Sequence, residues 1–126
     1  MADSFFDIYT LPTIEFVGGE TEKLFFNMYY KNTRYPFDLE GCEARFSVIS
    51  YLNRYATPIL SKDMEIAAGE TCDNVLKVIL NPSDTVQLND KYIYQITVRH
   101  KTKGIVDIPK QGILYIINNI DKTPNW

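Results

Sequence analysis

The chain has one histidine, two cysteines and one tryptophan among its 126 residues. Nucleophilic catalysis of the Ser-His-acid kind needs a histidine with a nucleophile and an orienting acid around it. His100 is the sole candidate base, and neither a G-x-S-x-G elbow nor a Cys-His signature accompanies it. It therefore reads as a structural histidine, and no catalytic residue is nominated. Cys42 and Cys72 lack the close pairings of a zinc site, and nothing marks the chain for export. Both are expected as reduced, small apolar side chains. The acids Asp63, Asp73, Asp84 and Asp90 are scattered without calcium-loop spacing. Gly18-Gly19 has no following helix or lysine to cradle a phosphate, so it reads as a turn. No cofactor and no metal are expected.

Other absences exclude whole classes. Net charge is −3, which argues against the basic stripe of a nucleic-acid binder. Arg99, His100, Lys101 and Lys103 make only a small basic cluster, read as a solvated hairpin tip. No apolar run approaches the roughly 20 residues of a membrane-spanning helix. The opening Met1-Ala2-Asp3-Ser4-Phe5-Phe6-Asp7 has neither the basic start nor the apolar core of a signal peptide, so synthesis in a cytoplasm is expected. No stretch of helical periodicity, internal repeat or low-complexity linker appears.

What the chain does have is aromatic content and alternation. Nine tyrosines and seven phenylalanines with few alanines favour strands. Period-two patterning runs through Thr13–Val17, Lys23–Lys31, Cys42–Leu52, Cys72–Leu80, Tyr92–His100 and Gln111–Ile117. The expected inward faces include Leu24, Phe26, Met28 and Tyr30; Cys42, Ala44, Phe46, Val48 and Leu52; and Tyr92, Tyr94, Ile96 and Val98. A weaker strand, Met64–Ala68, is expected to bridge two halves. Turn residues at Gly18-Gly19, Asn32-Thr33, Gly41, Ala68-Gly69, Asn89-Asp90 and Lys103-Gly104 separate the runs. The expectation is an all-β, immunoglobulin-like β-sandwich of about seven antiparallel strands in two sheets. It forms a single domain, 1–126, with an N-terminal arm 1–12 and a C-terminal tail 119–126.

The segment from Leu80 to Ile96 carries the most specific local signal. Pro82 suits the first position of a single helical turn, and Ser83, Asp84 and Thr85 can bond nearby amides. Leu88 returns to the core and Tyr92 opens the next strand. A tyrosine at that point suggests the tyrosine corner of immunoglobulin-like sandwiches. Pro82, Asp84, Leu88 and Tyr92 are therefore structural corner residues.

Three short motifs in order then resemble a known family: Gly18-Gly19-Glu20-Thr21, Asp38-Leu39-Glu40-Gly41 and Pro82-Ser83-Asp84-Thr85, followed by Tyr92-Ile93-Tyr94-Gln95-Ile96 and Lys110-Gln111-Gly112-Ile113-Leu114-Tyr115-Ile116. Over roughly residues 14–118 the chain resembles the N-terminal immunoglobulin-like domain of phage baseplate upper proteins and related small tail proteins. The resemblance implies a non-catalytic virion structural protein of phage or prophage, attached to a tail tip or baseplate after synthesis in the bacterial cytoplasm. It implies other tail proteins as partners and offers no catalytic residues.

Outward positions are the expected working surface. Ile49, Tyr51, Ile93, Ile113, Tyr115 and Ile117 should share one outer face, and Phe25, Tyr29, Val75 and Ile79 the other. Water-facing sheets normally alternate apolar with polar residues, and contiguous apolar patches mark partner surfaces. Phe5, Phe6, Ile8, Tyr9 and Leu11 can cover one such face but not both. The first six are thus partner-surface candidates, for docking or for a homo-oligomer. The alternative is a carbohydrate-binding module for host-surface attachment, with Tyr29, Tyr51, Tyr55 and Trp126 as platforms and Asn53 as the amide.

Overall fold

Period-two patterning produces strands almost wherever it occurs in the computed structural model, which describes residues 2–8, 11–29, 35–53, 57–69, 71–104, 106–107 and 111–122. Nine strands lie among these residues: β1 (Ala2–Ile8), β2 (Ile14–Val17), β3 (Glu22–Met28), β4 (Cys42–Ser50), β5 (Leu60–Ala67), β6 (Val75–Leu80), β7 (Lys91–His100), β8 (Val106–Asp107) and β9 (Gly112–Ile117). One helical turn, α1 (Pro82–Thr85), joins β6 to β7. The chain is all-β, as its composition requires.

The strands follow one hydrogen-bonded path, β1-β3-β6-β5-β4-β7-β9-β2, with β8 beside β7. The expected seven antiparallel strands are corrected in two respects. More strands are present, and both edge pairs are parallel: β1 with β3, and β2 with β9. Parallel neighbours need a long connection, and the chain between the paired strands provides it. The bridging strand expected near Met64 is β5, and it begins earlier. Its residues Leu60 to Met64 pair with β4, whereas Glu65 to Ala67 pair with β6. One strand thus belongs to both halves and turns the sheet over.

Curling brings distant strands face to face. Phe26 of β3 lies three steps from β4 in strand order, yet its ring centroid is 6.3 Å from that of Phe46 and 6.2 Å from that of Tyr94 on β7. Phe46 and Tyr94 stack at 5.6 Å. All three are fully buried, with Leu24, Leu39, Leu76, Leu80, Ile96 and Leu114 around them. The expected inward positions of β3, β4 and β7 are buried, with two exceptions. Tyr30 lies outside the described residues, and Leu52 is 86% exposed. The reason is that β4 ends at Ser50, so the alternation no longer has a strand to act on.

Glu22 extends the inward face of β3 by one position and carries a carboxyl into it, 4% exposed. Burial pushes its pKa from 4.5 up to about 7, and the neighbouring Glu20 carboxyl adds a hydrogen bond and like charge. The folded chain therefore holds this proton more tightly than the unfolded one. Its contribution to stability is complete below about pH 4.5 and is lost as pH rises through about 7. Glu22→Gln should remove that dependence. Urea unfolding of both proteins at pH 5 and pH 8 should move their difference by about 2 kcal/mol in the variant's favour at the higher pH. An unchanged difference would contradict the buried, protonated carboxyl.

Candidate partner-docking face

The corner between β6 and β7 includes one partner that the sequence did not reveal. Pro82 starts the turn, and the Asp84 carboxylate accepts the Asn81 N–H at 2.7 Å. The same carboxylate pairs with Lys62 of β5, whose ammonium also donates to the Ile79 carbonyl at 3.1 Å. Thr85 is fully buried, and its Oγ1 accepts the Gly19 N–H at 2.9 Å. A Cβ on Gly18 would sit 2.5 Å from the Thr85 carbonyl oxygen, and Gly19 has φ +85°. The Gly18-Gly19 turn is therefore packed against α1. Asn119 closes this knot by donating to the Gly18 carbonyl at 2.8 Å, and Lys122 donates to the Val86 carbonyl at 3.2 Å. Leu88 packs on the core, and the buried Tyr92 accepts the Asn89 N–H on its hydroxyl at 3.3 Å.

Strand register brings the six partner-surface candidates onto one face. Ile49, Ile93 and Ile113 stand side by side across β4, β7 and β9. In the next row Lys91 faces Tyr115, and Tyr115 faces Glu15 of β2. The Tyr51 N–H donates to the Lys91 carbonyl at 3.4 Å, which adds Tyr51 to that row. Ile117 stands beside Val17.

Their accessibility is uneven. Ile93 is 5% exposed, and Ile49, Tyr51 and Ile113 are half-buried. Lys91 accounts for part of this: its ammonium lies 4.0 Å from the Tyr51 ring centroid and 5.6 Å from that of Tyr115. The apolar surface left open is at the β9 end, where Tyr115 is 39%, Ile117 47% and Ile120 95% exposed.

The opposite face is more closed than expected. Val75 is buried at the mouth of β6, between β3 and β5, and Ile79 is half-buried. Phe25 is half-buried under the Lys77 ammonium, 5.7 Å from its ring centroid. The lysine stem thus covers apolar surface on this face. Tyr29 is half-buried and bridged to Pro36. The edge strand β1 occupies the chain segment expected to fold over a face. Of the sugar-platform candidates, Tyr55 and Trp126 lie outside the described residues, as do Tyr9 and the turn Asn32-Thr33.

Between β4, β7 and β9 the same outer face contains a cleft of about 350 Å³, lined by Arg45, Ser47, Ile49, Pro58, Ile93, Gln95, Thr97 and Gln111. Sequence reasoning missed it because its polar residues come from two strands, β4 and β7, and from Gln111 just before β9. The signal available was a break in the alternation, with Ser47 and Gln95 standing where outward apolar residues would continue the row.

His100 is occupied with its own hairpin. Its Nδ1 lies 3.2 Å from the Lys103 N–H and from the Thr102 hydroxyl. Arg99 pairs with Glu43, so the basic cluster is partly neutralised. Burial, then the nearby Asp38, pushes the Cys42 thiol up, and neither cysteine is in a disulfide. Among the described residues no three acids, cysteines or histidines gather as metal ligands, and no helix is long and apolar enough to cross a membrane.

No protein-family model and no curated protein matches the chain. Among solved structures, it is similar to the N-terminal domain of phage TP901-1 ORF48, with a TM-score of 0.56 and 11% identity. The likeness covers 92% of this chain and 99% of that one, so the two share a fold along nearly their whole lengths.

Proposed function

We propose that this chain is a non-catalytic structural protein of a phage or prophage tail tip, an immunoglobulin-like module that attaches to other tail proteins. The observation that carries the reading is the structural likeness to a phage domain over 92% of the chain. It agrees with the three turn motifs that independently resemble baseplate proteins. The two-sheet description of the sandwich is supported by β5, which divides its pairing between β4 and β6 and lets the halves face each other. The Tyr92 hydroxyl bond to Asn89 fits a tyrosine corner.

The attachment surface is the outer face of β4, β7 and β9 with the adjoining β2 edge, where the open apolar side chains lie. Open strand edges also suit strand addition. Self-association through the same face is a related outcome, read by light scattering across a concentration series. The carbohydrate alternative has weaker support, because Lys91 occupies a face of both Tyr51 and Tyr115.

The test uses particles induced from the genome that encodes this chain. After gradient purification, quantitative mass spectrometry should find the chain in the particle band at a fixed ratio to tail proteins. Its absence from intact particles would overturn the reading.

A further inference from the structure

Glu22 is the one buried acid among the described residues, and it stands at a junction. On one side it opens β3 opposite Leu80 of β6, the fully buried residue that leads into the corner. On the other side it follows the Gly18-Gly19 turn, and the Glu20 carboxyl is hydrogen-bonded to its own. The turn is fastened in turn to two other elements. Gly19 donates to Thr85 Oγ1 of α1 at 2.9 Å, and Gly18 donates to the Ile117 carbonyl of β9 at 2.9 Å. The Asn119 side chain closes the set with its bond to the Gly18 carbonyl at 2.8 Å. Ile117 and Ile120, on either side of Asn119, belong to the open apolar end of the attachment face. The carboxyl pair, the turn and the β9 end of that face are therefore one connected path.

We propose that the Glu20–Glu22 pair is a proton-operated clasp: a proton between the two carboxyls keeps the turn seated, and its loss frees the turn and loosens the β9 end of the attachment face. The cause is electrostatic. Two carboxylates within hydrogen-bond distance, one of them closed off from water, repel each other and lack hydration. Rotating Glu22 outward restores its water. Glu22 is a strand residue, however, so the movement undoes the first β3 pair and draws the turn away from Thr85.

The surrounding groups do not take the place of the proton. Ala2 of β1 and Leu80 of β6 stand at the register of Glu22, and neither side chain titrates. Lys23 follows it but alternates to the other side of the strand, where Asp3 shares its register. Asp84 of α1 is held by Lys62 and the Asn81 N–H, and Lys122 by the Val86 carbonyl and Asn118. The N-terminal ammonium favours the charged form, but it is the weakest of the influences on Glu22. Burial and Glu20 prevail and hold the pKa at about 7, so the clasp is closed below that pH and open above it. The role given to the face rests on the attachment reading above, whereas the clasp is read in the free chain.

The experiment follows the isotope-labelled full chain by NMR between pH 6 and pH 8. The backbone amides of Gly18, Gly19 and Asn119 should titrate together with a midpoint of about 7. Their order parameters should fall from about 0.85 to below about 0.6 across that range. Ile96, fully buried on β7, should keep its value throughout. Glu22→Gln should hold the closed signals up to pH 8, and Glu20→Gln should lower the midpoint by removing a like charge. Either of two results overturns the proposal: the Glu22 carboxyl titrates while the three amides stay fixed, or the amides titrate unchanged in Glu22→Gln. Particle incorporation is measured separately. A chain present in particles whose amides ignore pH loses the clasp and keeps the attachment role, and a titrating chain absent from particles does the reverse.

Discussion

Gly112→Ala should destabilise the fold by about 3 kcal/mol, at the upper end of what overpacking a core costs. Gly112 lies opposite Tyr94 in the β7–β9 register, and the tyrosine ring crosses directly over it. A Cβ there would stand 2.4 Å from Cε1, 2.5 Å from Cζ and 2.6 Å from the hydroxyl oxygen. The ring has no room to give. It is fully buried against Phe26 and Phe46, and its hydroxyl donates to the Pro12 carbonyl at 2.5 Å. Burial pushes its pKa up, so the phenol stays protonated and keeps donating. That bond ties the link between β1 and β2 to the centre of the molecule, and the glycine is what makes it reachable. Chemical denaturation measures the loss. Tyr94→Leu in the same chain should recover at least about 1 kcal/mol by coupling, because the clash is then gone. Tyr94→Phe, which keeps the ring, should recover nothing. Equal stability of Gly112→Ala and the parent would contradict the packing.

Phe46→Ala should cost about 4 kcal/mol, since it removes a fully buried ring that cannot be replaced by collapse of its neighbours. Phe46 is on β4, while the rings it meets come from β3 and β7. It therefore holds the two halves of the curled sheet together as well as filling volume. The expected loss is a large fraction of the 5–15 kcal/mol typical of a domain, so thermal melting should fall by more than about 10 °C. Phe46→Leu keeps most of the volume and should cost about 1.5 kcal/mol. A loss below about 1 kcal/mol for Phe46→Ala would mean that the halves do not share this core.

Much of this was legible in the chain because a strand with one buried face writes its register into alternate residues. Leu24, Phe26, Phe46, Val48 and Ile96 are inward by that rule alone. The corner was legible because proline, aspartate and threonine each have few backbone roles. What stayed hidden depends on contacts remote in sequence. The parallel pairing of β1 with β3 and of β2 with β9 leaves no local mark. Lys62 gives no sign that it will reach Asp84, and Gly112 resembles any strand-opening glycine until Tyr94 is placed above it. Leu52 misled because alternation continues past the end of a strand as readily as within it. The outer face was half legible. Register gathers Ile49, Tyr51, Ile93, Ile113, Tyr115 and Ile117 as their alternation implies, but Lys91 folding over two tyrosines decides how much of it remains open.

The attachment role proposed for that face can be measured directly. Particles are produced with the parent chain, with Tyr115→Glu plus Ile117→Glu, or with Lys77→Glu on the opposite face, and the amount of chain per particle is quantified. All substituted side chains are exposed or half-buried, so the variants should fold, and circular dichroism checks this. The account predicts at least a tenfold loss from particles for the β9 pair and an unchanged amount for Lys77→Glu. Equal incorporation of all three chains would contradict it.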